Sequence, residues 1–172
     1  MRLFIGVKTG IEAHLVSLQQ ELKKSGKGNF THEANLHMTL RFLGEVPPSK
    51  IAAVSDAIAH VRPGAVQLHC GGLQVFGRDI ISVKVGGELD KLSALHQSLE
   101  AALTRCGFER ETRAFKPHIT LARQFRPFGA FDIAAVPAVH KDFTVNEVIL
   151  FESTREEGRL VYKPLFAHWL QT

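Results

Sequence analysis

Cysteine, tryptophan and long apolar runs are what this chain of 172 residues has least of. Its two cysteines, Cys70 and Cys106, stand far apart with no Cys-x-x-Cys spacing, which excludes a zinc ribbon and a thioredoxin-type motif and fits reduced thiols. No run approaches the roughly eighteen apolar residues that span a bilayer, and Leu3 to Val7 is too short for a signal-peptide core. A cytoplasmic protein without membrane attachment is the expectation. Dinucleotide and Walker glycine loops, His-Glu-x-x-His and Gly-x-Ser-x-Gly are all missing, so nucleoside triphosphatase, zincin and serine-hydrolase chemistry drop out.

What is present is an ordinary globular composition, 45% apolar and 22% charged, which excludes disordered and fibrous classes. The formal charge of +4 is local. Arg105, Arg110, Arg113, Lys116, Arg123 and Arg126 face only Glu109 and Glu111, so one segment carries the whole excess, and it contains His118. Such a patch suits an anionic partner.

Periodicity orders the chain. Arg2 to Lys8 reads as a buried strand, and Ile11, Leu15, Leu18 and Leu22 follow at helical spacing until Gly26 and Gly28 break the pattern. A strand over Leu36 to Leu43 precedes Pro47-Pro48-Ser49, which opens a helix carrying Ile51, Val54, Ile58 and Val61. Val66 to Phe76 and Asp79 to Val85 form a strand pair. A third helix presents Leu89, Leu92, Leu95, Leu99 and Leu103, with Gly107 as its cap. Pro117 to Arg123 is a strand, Phe125 to Pro137 a loop, and closing strands run near Phe143 to Phe151 and Leu160 to His168.

The two halves repeat this order, strand, helix, then a strand bearing His-x-Thr-Leu: His37-Met38-Thr39-Leu40 and His118-Ile119-Thr120-Leu121. The fold class expected is α+β, mostly antiparallel sheet with outer helices, duplicated about a pseudo-two-fold. On each strand, residues two apart share a face, so His37 and Thr39 project together, as do His118 and Thr120, while the aliphatic residues face the core. Under a two-fold, both sets face one cleft.

Two imidazoles across a cleft suit a reaction that needs a base on one side and an acid on the other, as phosphodiester cleavage does. Threonine hydroxyls can donate to phosphate oxygens, and Arg123, five residues after His118, is the nearest bidentate clamp. A metal reading has little support: His32 and His37 share no face, and no carboxylate lies within two residues of His37 or His118. His14, His60, His69, His96, His140 and His168 have no repeating pattern and are assigned to surface or packing. Arg41 has the parity of His37 and Thr39, which leaves the cleft and a solvated strand edge both open to it. Phe4 and Phe42 are open between core and nucleobase platform.

Asn35-Leu36-His37-Met38-Thr39-Leu40-Arg41-Phe42-Leu43-Gly44 and Phe115-Lys116-Pro117-His118-Ile119-Thr120-Leu121-Ala122-Arg123 resemble the paired motifs of the 2H phosphoesterase superfamily. They are similar to those of bacterial and archaeal RNA 2',3'-cyclic phosphodiesterases, also called 2'-5' RNA ligases or LigT-like proteins. The likeness runs from Arg2-Leu3-Phe4 to Leu150-Phe151-Glu152-Ser153. It implies one 2H domain over residues 1–172, built of two intertwined lobes with the active site between them, and a monomer.

It also implies hydrolysis of RNA 2',3'-cyclic phosphate ends to 2'-phosphomonoesters with no metal or other cofactor. His37 would be the proton donor to the leaving oxygen and His118 the proton acceptor from water, with Thr39, Thr120 and Arg123 binding phosphate. The partner would be an RNA end or a small cyclic nucleotide, and 2'-5' ligation is the same transfer with a 5'-hydroxyl replacing water. Alternatives are a 2H activity on a small nucleotide or 2'-5' oligonucleotide, or a non-catalytic RNA-end binder. The chain departs from many relatives in carrying Asn29-Phe30-Thr31 where they have an Arg-Trp pair, which bears on base contacts there.

Overall fold

The computed structural model describes residues 1–172. In chain order it contains β1 (Arg2–Val7), α1 (Glu12–Lys23), β2 (Gly26–Phe30), β3 (Met38–Glu45), α2 (Ile51–Ala59), β4 (Val66–Phe76), β5 (Ile80–Gly87), α3 (Leu89–Arg105), β6 (His118–Pro127), β7 (Lys141–Val145), β8 (Glu147–Glu156) and β9 (Arg159–Trp169). All nine strands join one sheet in the order β7, β4, β5, β6, β3, β1, β8, β9, with β2 pairing β6 off this path, beyond the bridge to β3. Every pairing is antiparallel. The α+β class and the duplication read from the sequence hold.

The pseudo-two-fold is visible in the strand order. β1 lies between β3 and β8, and β5 lies between β6 and β4, so β3 borders β1, the strand before α1, as β6 borders β5, the strand before α3. A single bridge, Met38 to Ile119, joins the halves. The helices knit them together: α1 of the first half packs on β2 and β6, and α2 packs on α3, β8 and β9. Helix stripes behave as their spacing demands, with Leu15, Leu18 and Leu22 of α1 and Leu92, Leu95, Leu99 and Leu103 of α3 all buried. Leu89 is the exception, 42% exposed at the first residue of α3, where the helix has not yet reached the sheet. At the other end Gly107 (φ +87°) lets the Phe108 N–H reach the Leu103 carbonyl at 3.1 Å, which closes α3 as a Schellman cap.

Three segments differ from the periodicity reading. Gly26 and Gly28 end α1 but belong to β2. A Cβ on Gly26 would stand 2.5 Å from the Phe125 ring and 2.6 Å from the Arg126 carbonyl, so the missing side chain is what lets β2 close on β6. β6 continues through Phe125 to Pro127, which shortens the loop expected from Phe125. The closing strand expected over Phe143 to Phe151 is two strands. Residues up to Val145 pair with β4, and those from Glu147 pair with β1, so the chain crosses from one half to the other at Asn146. Burial runs on through both, which is why the apolar pattern does not mark the change of partner.

Both cysteines are free. Cys70 is buried in the sheet, which pushes its thiol up to about 11. No helix is long and apolar enough to cross a membrane.

Candidate active site

The Met38 to Ile119 bridge sits at the centre of the site. Both side chains are fully buried, so the residues beside them, His37 immediately before β3, Thr39, His118 and Thr120, project from the opposite face. In an antiparallel register, His37 then lies across from Thr120 and Thr39 from His118. All four line a cleft of about 1050 Å³, together with Arg123. The structure thus brings together the five residues singled out from the sequence.

The two imidazoles are held alike. His37 Nδ1 lies 2.7 Å from the Asn35 carbonyl, and His118 Nδ1 lies 2.7 Å from the Lys116 carbonyl. A carbonyl only accepts, so each ring carries its proton on Nδ1 and leaves Nε2 as the reactive nitrogen. Their further surroundings differ. The Thr39 hydroxyl donates to His37 Nε2 at 2.8 Å. His37 is also enclosed by Phe4 at 5.0 Å and by the edge of Tyr162 at 5.1 Å, whereas His118 meets Phe76 at 4.7 Å. A Cβ on Gly6 would lie 2.9 Å from the Met38 carbonyl and 3.4 Å from the His37 ring, so β1 can pass beneath this imidazole only with glycine there.

Enclosure has an electrostatic consequence. Burial lowers the His37 pKa from 6.5 to about 4 against the opposing Asn35 carbonyl bond, and Lys8, Arg123 and His118 push it the same way as burial. An unfolded His37 takes up a proton near pH 6.5, and the folded protein resists until about pH 4. Stability is therefore complete above pH 6.5 and falls across that window, by about 3 kcal/mol at most from this group. Urea titrations at stepped pH should show this loss in wild type and a flatter profile in His37→Asn. An unchanged slope in the variant would assign the acid lability elsewhere.

Two sequence expectations change. Arg41 faces neither cleft nor solvent: its side chain is 12% exposed, with Nε 2.6 Å from Glu100 Oε1. The cause is a bulge. Gly6 pairs with Thr39 but Ile5 pairs with Arg41, so the alternation of β3 reverses between them. Arg41 turns toward α3, and Phe42, 56% exposed, turns into the cleft in its place. The basic segment also disperses: Arg113 pairs with Glu111 and Arg126 with Asp79, and only Arg123 of its cations reaches the cleft.

The structure adds residues that spacing did not single out. Thr31 lines the wall and donates to the Thr120 carbonyl at 3.1 Å. Tyr162, Arg2 and Arg155 complete the far side. Arg2 has the strand parity of Phe4 and could have been found by extending it. Tyr162 and Arg155 enter only through the pairing of β8 with β9. Phe4 is core rather than platform, buried on Phe151 at 5.0 Å.

Comparison with known proteins follows this geometry. The family described as the 2'-5' RNA ligase superfamily matches residues 10–157. A Geobacillus stearothermophilus protein named RNA 2',3'-cyclic phosphodiesterase is 33% identical over 136 residues, which cover 74% of this chain and 43% of that protein. An Aeropyrum pernix protein of the same name is 36% identical over 95 residues, 53% of this chain and 54% of its own length. The chain thus spans about half the length of these two relatives. Escherichia coli LigT, crystallised with 3'-AMP, superposes with a TM-score of 0.83 at 26% identity, covering 99% of this chain and 98% of the other.

Proposed function

We propose, since the chain belongs to the 2'-5' RNA ligase superfamily, that it hydrolyses RNA 2',3'-cyclic phosphate ends to 2'-phosphomonoesters by acid–base catalysis between two histidines. The observation that carries this reading is the matched pair of imidazoles in one cleft, each bound through Nδ1 to the carbonyl two residues before it.

His118 Nε2 has no intramolecular hydrogen bond and takes the proton of a water attacking phosphorus. As the new P–O bond forms, the bond to the 3' oxygen breaks, and His37 Nε2 delivers a proton to that oxygen. The products are a 2'-phosphomonoester and a 3'-hydroxyl. Solvent then resets both rings. His37 must be protonated to act, and its surroundings in the free protein oppose this. A bound phosphodiester supplies the missing anion: it offsets Arg123, Lys8 and His118 and raises the His37 pKa in the complex. Once Nε2–H is formed it is directed at the 3' oxygen, and the Thr39 hydroxyl, which no longer finds an acceptor at Nε2, is free to donate to a phosphate oxygen. Thr120 and Arg123, which has no carboxylate partner, serve the other oxygens. An RNA 5'-hydroxyl in place of water would give 2'-5' ligation by the same transfers.

The test is an oligonucleotide ending in 2',3'-cyclic phosphate, incubated with the protein and EDTA. Conversion to the 2'-phosphate is expected with or without chelator. No turnover would sink the proposal, and turnover lost only to EDTA would transfer the reaction to a metal.

A further inference from the structure

The cleft is longer than one phosphate site requires. Strand registers lay out its β1, β8 and β9 wall in successive rows. Gly6 lies opposite Thr39 and Ile149, beside the catalytic pair, and Phe4 lies opposite Phe42 and Phe151 in the next row. Arg2 follows two residues along β1, with Ser153 opposite Tyr162 at the same level, and Arg155 opposite Leu160 lies one step beyond. Along β1 alone, Gly6 and Arg2 are separated by roughly 13 Å of strand. Phe4 and Phe151 are buried, so Phe42 is the aromatic face this row presents, and the cleft reads polar, aromatic, then basic.

Arg2 and Arg155 are exposed and form no ion pair. Arg155 is steadied by one donor bond to the Gly158 carbonyl at 3.1 Å, across the β8–β9 turn. The carboxylate in this wall, Glu45, lies 3.4 Å from the amino terminus of Met1. Burial raises the Tyr162 phenol pKa, and the charges of Arg123 and Arg2 oppose that rise. A lone exposed arginine is ordinary. Two of them lining the cleft that also holds the histidine pair, beyond the ring of Phe42, match the phosphate–nucleoside–phosphate order of an RNA strand.

We propose that Arg2 and Arg155 form a second phosphate site, which takes the phosphate on the 5' side of the reacting nucleotide. The substrate class is then an RNA chain end of two or more nucleotides rather than a free nucleoside cyclic phosphate. This rests on the phosphodiesterase reading above.

The experiment compares kcat/KM for adenosine 2',3'-cyclic phosphate with that for the dinucleotide ApA ending in 2',3'-cyclic phosphate. The dinucleotide should be favoured by about tenfold or more, the worth of one charge-assisted contact. In Arg2→Gln/Arg155→Gln that preference should collapse toward unity, mainly through KM. A wild type without preference, or a preference that survives the double substitution, would overturn the second site while leaving the histidine chemistry intact. Failure of both substrates would bring down the phosphodiesterase reading and this inference with it. A wild type without preference overturns the second site whether or not the variant folds.

Discussion

His37→Ala and His118→Ala should each lower kcat on a cyclic-phosphate RNA end by about 10²- to 10⁴-fold, the usual worth of a positioned general acid or base. The losses should not add, because either ring without its counterpart leaves the proton transfer incomplete. The pH profile separates the roles. A base must be neutral, so its titration forms the limb on which activity falls toward low pH; an acid must be protonated, so its titration forms the limb on which activity falls toward high pH. Removing His118 should erase the first limb and removing His37 the second. His37 rests near 4 in the free protein, and the bound anion raises it. The alkaline limb of kcat, which reports the complex, should therefore lie at higher pH than that of kcat/KM, which reports free enzyme. Either alanine variant within tenfold of wild type would remove the two-histidine mechanism, and exchanged limbs would reverse the assignment of donor and acceptor.

Glu100→Ala should be the most destabilising single change away from the cleft, by about 3 to 5 kcal/mol. Glu100 is 3% exposed, and its two oxygens are engaged, Oε1 with Arg41 Nε at 2.6 Å and Oε2 with the Glu111 N–H at 3.1 Å. His96 lies 4.0 Å away, stacked flat on Phe115 at 4.2 Å. Taking away the carboxylate strands a guanidinium in a site that water hardly reaches. Some of the loss is cushioned, since Arg41 keeps the Phe42 carbonyl at 3.0 Å and Glu111 at 3.8 Å. Urea unfolding should show a lower midpoint at unchanged m-value. Replacing both Arg41 and Glu100 by methionine should recover most of the stability, because no charge is then left buried alone. A Glu100→Ala loss below about 1 kcal/mol would mean that water already solvates the pair.

The same ion pair shows where strand parity stops being informative. Counting by twos from His37 carries Thr39 into the cleft correctly and then fails at Arg41, because the β1–β3 bulge adds one residue to one side of the ladder. A bulge is a property of two strands and leaves no mark in the alternation of one. β2 is a similar case. Its glycines look like helix breakers, and what makes them a strand is the close approach of Phe125 and Arg126, a hundred residues further on. The split at Asn146 leaves no mark in the apolar pattern because both flanking strands bury an apolar face, whichever neighbour they pair with.

The sequence by itself determined which side chains stand at the centre: His-x-Thr on a strand must show both polar side chains on one face, and two copies in matching order must meet when the halves pair about a two-fold. The shared face is a short-range consequence of a two-residue period, and the meeting of the two copies needs only the one bridge that joins the halves. Only the tertiary structure decided what surrounds that centre: Phe4 and Tyr162 enclosing His37, Phe42 facing inward in place of Arg41, and Arg2 and Arg155 rather than the basic segment supplying the outer cations. Each of these depends on a register between strands distant in the chain. Such a register is set by packing over the whole sheet and not by the residues on either side.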